Sequence, residues 1–245
     1  MANFKLAKEV FRDVVDLKFY VPLSSVEKTK KDLKNAIMQK EKMVFITGEA
    51  GSGKSMILKS IYNDLKHSVN IFHISNPYLE INTILNILKK LSIDDYHVFL
   101  IDEAQLLSEE TFENLRIYAD KGNITVVFAT HDTDIRKLLN KKHFQTRVNY
   151  ILKVEKATRD EIENFIRTKL LKANLLDVAE FIKSKNYKLI YKYTGGSLRA
   201  TNQLMFKLFD ILDYFYTKDP KKINLEKLSN KYIEIAYMDF KEFHA

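Results

Sequence analysis

Three of the six glycines of this 245-residue chain fall within one short stretch, TGEAGSGKS, at residues 47–55. From its second residue onward the stretch fits the pattern G-x-x-x-x-G-K-[ST], in which glycines permit a tight turn so that successive backbone amides face phosphate oxygens. An apolar run precedes it, and the helically spaced run SMILKSIYNDLK follows. Because helix N-termini attract anions, this arrangement predicts a binding site for the phosphates of a nucleotide.

The side chains of this loop have separate predicted roles. Lys54 is expected to reach the β- and γ-phosphates, and the Ser55 hydroxyl is expected to bind Mg²⁺. The alternative, a glycine turn that holds no ligand, is disfavoured by the flanking strand and helix patterns. The predicted nucleotide-binding residues are Gly48, Glu49, Ala50, Gly51, Ser52, Gly53, Lys54, Ser55 and Met56.

A second motif, HVFLIDEAQ at residues 97–105, carries two carboxylates at the end of an apolar run. Open α/β sheets bind ligands at the carboxyl ends of their strands. Asp102 is therefore placed to hold Mg²⁺ and Glu103 to polarise an attacking water, so the pair predicts hydrolysis as well as binding. The sequence has no N-K-x-D-like guanine-reading motif where a GTPase would carry it, which favours ATP as the nucleotide.

Three more residues are candidates for sensing the γ-phosphate. The apolar run ITVVFAT ends at Thr130, next to His131, and Thr130 could equally cap the following helix. Arginine is scarce compared with lysine, and its planar guanidinium suits phosphate sensing better. Arg147 and Arg199 are therefore candidates for sensing the γ-phosphate. For each of them the alternative is an exposed salt bridge.

Apolar runs alternate with helically spaced segments as far as about residue 155. This alternation predicts an α/β fold with a doubly wound, mostly parallel sheet, and only helices are predicted after residue 155. We therefore expect a core domain at residues 1–155 and a helical domain at residues 156–245. The five predicted strands lie at residues 42–47, 70–75, 96–102, 124–130 and 150–155, and helices between them at 54–66, 79–91 and 109–120.

Composition limits the environment and the partners. The absence of cysteine excludes disulfides and agrees with a reducing cytoplasm. The first residues do not resemble a secretory signal, and the apolar segment at 203–216 is interrupted by charges, so no transmembrane segment is expected. The net charge of +8 indicates either a solvated lysine-rich surface or affinity for nucleic acid or an anionic membrane.

Taken together, these motifs resemble an AAA+ ATPase, and more narrowly the ExeA/GspA-type secretion ATPases, which are related to the MuB and TniB transposition ATPases. The resemblance extends over about residues 15–212. The residues that carry it are TGEAGSGKS at 47–55, NPYL at 76–79, IDEAQLLS at 101–108, QTRV at 145–148 and TGGSLRATN at 194–202.

The resemblance implies a P-loop αβα sandwich with a five-stranded sheet, followed by a small all-helical lid, with ATP and Mg²⁺ bound between them. Asp102 and Glu103 would be the Walker B pair, and Thr130 or His131 the sensor-1 residue. Arg147 would be an arginine finger acting in a neighbouring subunit, and Arg199 the sensor-2 arginine. ATP binding would then assemble a homo-oligomer, and hydrolysis would be slow and stimulated by assembly or by a partner.

Two kinds of biological work follow from the resemblance. The first is an accessory motor or switch, cytoplasmic or peripheral at the inner membrane, for a type II secretion-like or DNA-uptake apparatus of the Campylobacter kind, with a separate membrane protein as partner. The second is a DNA-binding ATPase of the transposition-regulator or replication-loader type, with little sequence preference. A small-molecule kinase is less consistent with Glu103, because kinases need no water-polarising glutamate.

The two ends of the chain leave alternatives open. The lysine-dense segment at residues 24–42 is expected to form a solvated helix that covers the sheet, with membrane or DNA contact as the alternative. The tail at residues 225–243 is amphipathic and rich in aromatic residues, so we expect it to pack on the helical domain, with partner docking as the alternative.

Overall fold

A computed structural model describes residues 3–78, 80–92, 94–139 and 150–242. The chain forms two compact units. One is Ser25–Glu155, and the other combines Met1–Ser24 with Lys156–Ala245. We call them the α/β unit and the helical unit.

The α/β unit contains a parallel sheet with the strand order β2-β3-β4-β1-β5. Every neighbouring pair is parallel, so the predicted mostly parallel sheet is confirmed and contains no antiparallel pair among the described strands. β4 lies between β1 and β3. The strands are β1 Met43–Thr47, β2 Asn70–Ile74, β3 His97–Ile101, β4 Ile124–Thr130 and β5 Tyr150–Lys153.

The helices of the described residues fall into the two units. Their bounds are α1 Phe4–Val10, α2 Ser24–Met38, α3 Lys54–Leu65, α4 Ile81–Lys90, α5 Glu109–Asp120, α6 Asp132–Leu139, α7 Arg159–Lys172, α8 Leu176–Phe181, α9 Ser184–Thr194, α10 Leu198–Lys218 and α11 Asn230–Glu242. Local signals explain some of these bounds. α5 starts after Ser108, whose hydroxyl accepts a hydrogen bond from the Thr111 amide at 3.1 Å, as an N-cap does.

The central strands β1, β3 and β4 are buried along their whole length, which is why they appear in the sequence as continuous apolar runs. Phe128 stacks on Phe45 and on Phe112 of α5, with ring centroids 5.1 and 4.5 Å away. Burying such a ring contributes about 1.5–3 kcal/mol. The parallel pairing of β1, β4 and β3 places their carboxyl ends at the same edge of the sheet, and the polar residues that follow these strands lie along that edge.

The N-terminal residues belong to the helical unit, whereas the sequence suggests a core domain that begins at residue 1. The reason is the apolar side of α1, which buries Phe4, Ala7 and Val10. The Phe4 ring lies 6.3 Å from Phe209 and 5.5 Å from Tyr216, both on α10. These contacts join residues that are about two hundred positions apart, so no local pattern reveals them.

The apolar segment predicted to form an amphipathic helix lies within α10. Its inner face is fully buried at Leu204, Leu208 and Leu212. In the part of the chain that the structure describes, no helix combines the length and the apolar character needed to cross a bilayer.

Candidate nucleotide site

The loop after β1 approaches β5 so closely that Gly48 has no room for a side chain. The Val154 amide donates to the Thr47 carbonyl at 2.7 Å, which fixes the end of β5 against β1. A Cβ atom on Gly48 would lie 2.7 Å from the Val154 carbonyl oxygen, inside contact distance. Further along the loop, Gly53 has a φ of 108°, in the left-handed region, immediately before α3. The backbone therefore reaches the start of α3 by a route that requires glycine.

Lys54 and Ser52 give this loop the character of an anion site. Lys54 is buried, and its ammonium donates to the Gly48 and Glu49 carbonyls at 2.8 and 3.0 Å. The Ser52 hydroxyl is buried and has no hydrogen-bond partner within the described residues. A buried hydroxyl without a partner is costly, and a phosphate oxygen would supply the missing partner. The loop residues therefore fit a bound nucleotide phosphate.

Asp102 follows β3 and meets Ser55 at the start of α3. The Ser55 hydroxyl donates to the Asp102 carboxylate, and the Glu103 amide donates to it at 3.0 Å. Burial raises the pKa of Asp102 above its ordinary value, and these two hydrogen bonds offset part of that rise. A serine oxygen and a carboxylate in contact are ligands of the kind that Mg²⁺ prefers. The two predicted metal ligands are brought together.

Glu103 has an uncommon backbone conformation and a defined side-chain environment. Its φ of 48° and ψ of 44° lie in the left-handed region, which non-glycine residues enter at a cost of about 1–3 kcal/mol. The Gln105 amide donates a hydrogen bond to Glu103 Oε2. Gln105 Oε1 in turn accepts a hydrogen bond from the fully buried Thr130 hydroxyl at 3.1 Å. A hydrogen-bonded chain from Thr130 through Gln105 therefore orients the Glu103 carboxylate.

His131, the other candidate for sensor 1, reaches the same carboxylate directly. Its Nε2 lies 3.5 Å from Glu103 Oε2, and the side chains of His131 and Glu103 are 31% and 35% exposed. The structure thus brings both candidates to Glu103, Thr130 through Gln105 and His131 by its own side chain. Which of them senses phosphate stays a prediction.

Sequence reasoning missed two residues at this edge of the sheet. Gln105 belongs to the HVFLIDEAQ motif, but its partner Thr130 lies 25 positions away at the end of β4, so its role could not be inferred from spacing. His73, on β2, is half-buried, and its Nε2 has no hydrogen-bond partner among the described residues. Burial lowers the pKa of His73, while the negative charge of Asp102 opposes that effect.

The two candidate arginines stay predictions. Arg199 is the second residue of α10, in the helical unit. Its Nε lies 3.7 Å from the Asp13 carboxylate, and both side chains are about half exposed, which matches the salt-bridge alternative. Arg147, with the rest of the QTRV stretch, lies outside the described residues, as does Leu79 of the NPYL stretch.

A protein-family model described as Novel STAND NTPase 5 matches residues 4–143, more than half of the chain. The chain belongs to this NTPase family. The match includes the phosphate loop and the acidic motif, which agrees with the prediction of a nucleotide-binding protein. No curated protein sequence matches the chain significantly. The narrower resemblance to the ExeA/GspA type stays a prediction.

Solved structures with the same fold include DNA-handling proteins. The Thermotoga maritima RuvB Holliday junction branch migration motor is 22% identical, with a TM-score of 0.63 over 92% of this chain and 72% of that chain. The Aeropyrum pernix Orc1 protein in complex with DNA is 12% identical, with a TM-score of 0.65 over 95% and 69%. The Aeropyrum pernix Orc2 protein, solved as ADPNP–ADP complexes, is 15% identical, with a TM-score of 0.58 over 93% and 71%. At such identities the likeness shows the fold alone, and it confirms the predicted AAA+ P-loop fold.

Proposed function

We propose that this protein binds ATP with Mg²⁺ and hydrolyses it to ADP and phosphate at the carboxyl ends of β1, β3 and β4. The observation that carries the proposal is the chain of hydrogen bonds from Thr130 through Gln105 to Glu103. It lies next to the Ser55–Asp102 pair, so a carboxylate oriented by neighbouring side chains stands beside two oxygen ligands. A site that only bound a nucleotide would not need this oriented glutamate.

The remaining residues bind and position the substrate. Lys54 and the amides of the loop would hold the phosphates, with Ser52 as an additional hydroxyl donor. Ser55 and Asp102 would hold Mg²⁺, which when bound neutralises charge on the phosphate oxygens. The adenine nucleotides in the Orc2 structure, and the lack of a guanine-reading motif, support ATP as the substrate.

Glu103 would act on the attacking water through one oxygen. Both the Gln105 hydrogen bond and the His131 contact fall on Oε2. Within the described residues Oε1 accepts no hydrogen bond, so it is the atom that would accept one from water and then its proton. Gln105 keeps the carboxylate from rotating and is a positioning residue in this scheme.

For the work that hydrolysis drives, we propose an accessory motor or switch for a secretion-like or DNA-uptake apparatus, which assembles on ATP and acts at the inner membrane through a protein partner. This proposal is supported by the resemblance of five motifs to the ExeA/GspA type. Arg147 as a trans-acting finger and Arg199 as a sensor belong to the same proposal.

A DNA-binding ATPase is the second candidate. It is supported by the net charge of +8 and by two proteins of the same fold, one described as a Holliday junction motor and the other solved with DNA. Both candidates can include contact with DNA, so the response of turnover to DNA distinguishes a DNA trigger from a protein trigger.

The test measures phosphate release by the wild type and by Glu103→Gln, with and without DNA at two salt concentrations, while light scattering follows assembly. We expect Glu103→Gln to bind ATP and stay assembled while turnover falls about 10²–10⁴-fold, the typical contribution of a general base. Glu110→Gln, an exposed change of the same kind in the first turn of α5, is the matched control. Unchanged turnover in Glu103→Gln would contradict the proposed mechanism. If DNA does not change the turnover of the wild type at low salt, a protein trigger is favoured.

A further inference from the structure

A cavity of about 440 Å³ lies in the helical unit, where α10 ends and α11 begins. Its apolar lining includes Phe181, Phe215 and Tyr232, and three lysines surround it, Lys222, Lys227 and Lys231. No described carboxylate lines it. An apolar cavity surrounded by cations alone suits a ligand that has both a flat apolar part and negative charge.

The charge around this cavity is available to a ligand. All three lysines are exposed, and the one ion pair of Lys222 within the described residues is a distant one, with its Nζ 3.8 Å from the Asp219 carboxylate. Among the described residues no carboxylate pairs with Lys227 or Lys231. The local sequence TKDPKKINLEKLSNKY, at residues 217–232, contains five lysines and two acidic residues, so it keeps a positive excess. Such a cluster attracts a polyanion.

The aromatic side chains supply the apolar part of the site. The rings of Phe215 and Tyr232 are half-buried and tilted by 54°, with centroids 5.9 Å apart. The Tyr232 hydroxyl donates to the Lys222 carbonyl at 3.4 Å, which ties the aromatic ring to the lysine-bearing turn. Phe181, 3% exposed, forms part of the floor. Nucleic acid bases stack on ring faces of this kind without sequence preference.

We propose that this cavity binds single-stranded nucleic acid, with a base against Phe215 and Tyr232 and the adjoining phosphates against Lys222, Lys227 and Lys231. The inference deepens the DNA-handling candidate of the proposed function and depends on it for its biological role. An anionic membrane is less favoured, because the aromatic rings line a cavity and do not project toward a lipid surface.

The first test measures binding of a fluorescein-labelled oligo-dT strand to the full chain by anisotropy, without ATP. The triple variant Lys222→Gln, Lys227→Gln, Lys231→Gln should lose about tenfold or more in affinity, and the slope of log K against log salt should fall by about 2, since each contacted phosphate of a single strand contributes about 0.7. The control changes three exposed lysines of α2 in the same way, Lys28, Lys31 and Lys34. The control should keep most of the affinity. Equal losses of affinity in the two triple variants would overturn the proposal. The strand would then bind to the basic surface in general and not at this cavity.

A second pair of variants tests the aromatic contact. Tyr232→Leu should lower oligo-dT affinity about tenfold while leaving the salt slope unchanged, and Tyr232→Phe, which keeps the ring, should bind like the wild type. A duplex of the same length should be insensitive to Tyr232→Leu. Equal binding by the Leu and Phe variants would contradict base stacking, and a thermal melt of each variant shows whether the helical unit has stayed folded.

Two more measurements distinguish this proposal from membrane binding at the same cavity and from the proposed ATPase activity. Flotation with phosphatidylserine-containing vesicles should be the same for wild type and the lysine triple variant; if only vesicle binding is lost, the cavity belongs to a membrane surface and the proposal fails. ATP turnover without DNA is measured in parallel. A wild type that binds oligo-dT at this cavity but releases no phosphate would overturn the proposed ATPase and leave the nucleic acid site standing.

Discussion

Two buried lysines, one in each unit, show how differently the same side chain can be used. Lys54 is 7% exposed and Lys169, on α7, is 5% exposed. The Lys54 ammonium donates to two loop carbonyls, at 2.8 and 3.0 Å. The Lys169 ammonium donates to the Asn202 side chain at 2.9 Å and lies over three aromatic rings, with the nearest centroid 4.9 Å away.

The surroundings of each lysine decide what it can do. Around Lys54 stand the Ser52 hydroxyl, which has no hydrogen-bond partner among the described residues, and the start of a helix, so an anion could replace the carbonyl contacts. Around Lys169 stand aromatic rings and an amide oxygen within a packed helical core. Burial lowers the pKa of Lys169 to about 8, partly opposed by Asp16 and Asp13. These surroundings favour a ligand-binding role for Lys54, which stays a prediction, and a packing role for Lys169.

The largest effect is expected when lysine is replaced by methionine at position 54, and the same substitution at position 169 serves as the comparison. Lys54→Met should weaken ATP binding about a hundredfold or more, because hydrogen bonds to charged groups contribute about 1.5–3 kcal/mol each and Lys54 would donate to two phosphates. Lys169→Met should leave ATP affinity unchanged. Titration with a fluorescent ATP analogue measures both, and a comparable loss in the two variants would show that the comparison is mistaken.

A smaller effect is expected from the residues that orient Glu103. Gln105→Leu and Thr130→Val should each lower kcat about tenfold, through lost orientation of the carboxylate, with little change in ATP affinity. Since the two residues act through one chain of hydrogen bonds, the double variant should lose little more than either single variant. Steady-state phosphate release by the wild type, the two single variants and the double variant measures this coupling. Full additivity would mean that Thr130 does not act through Gln105.

The sequence reveals the surroundings of one lysine and not of the other, because the neighbours of Lys54 are close in sequence and those of Lys169 are distant. The expectation for Lys54 could be formed from the sequence because its surroundings are local: the glycines, Ser55 and the start of the following helix all lie within residues 48–55. No such expectation could be formed for Lys169, because on an amphipathic helix it resembles any solvent-facing lysine. Two of its partners, Phe11 after α1 and Asn202 on α10, come from segments distant from it in the sequence.

The smallest expected effect, counted per pH unit, is a pH dependence of stability. Because the pKa of Lys169 falls from 10.5 in the unfolded chain to about 8 in the folded one, the unfolded chain binds more protons between these values. The free energy of unfolding should therefore gain on the order of 1 kcal/mol per pH unit as pH rises through this window, relative to Lys169→Met. Below pH 8 Lys169 is charged in both the folded and the unfolded chain, so the wild type carries the full free-energy cost of burying a charged ammonium.

Urea titrations of both proteins at several pH values measure this difference. Lys172→Met, an exposed change on the same helix, should follow the wild type. Parallel curves for the wild type and Lys169→Met would show that the Lys169 ammonium is hydrated in solution.

The sequence by itself determined the five strands and the parallel sheet, and it predicts the phosphate loop and the roles of Asp102 and Glu103. Those features depend on residue types at short, regular spacing, which the backbone converts directly into local structure. Only the tertiary structure decided that Thr130 orients Glu103 through Gln105, that α1 packs in the helical unit, and that three lysines surround an aromatic cavity there. Each of these depends on side chains from distant segments meeting, and that is set by how the elements pack and not by any pattern within one of them.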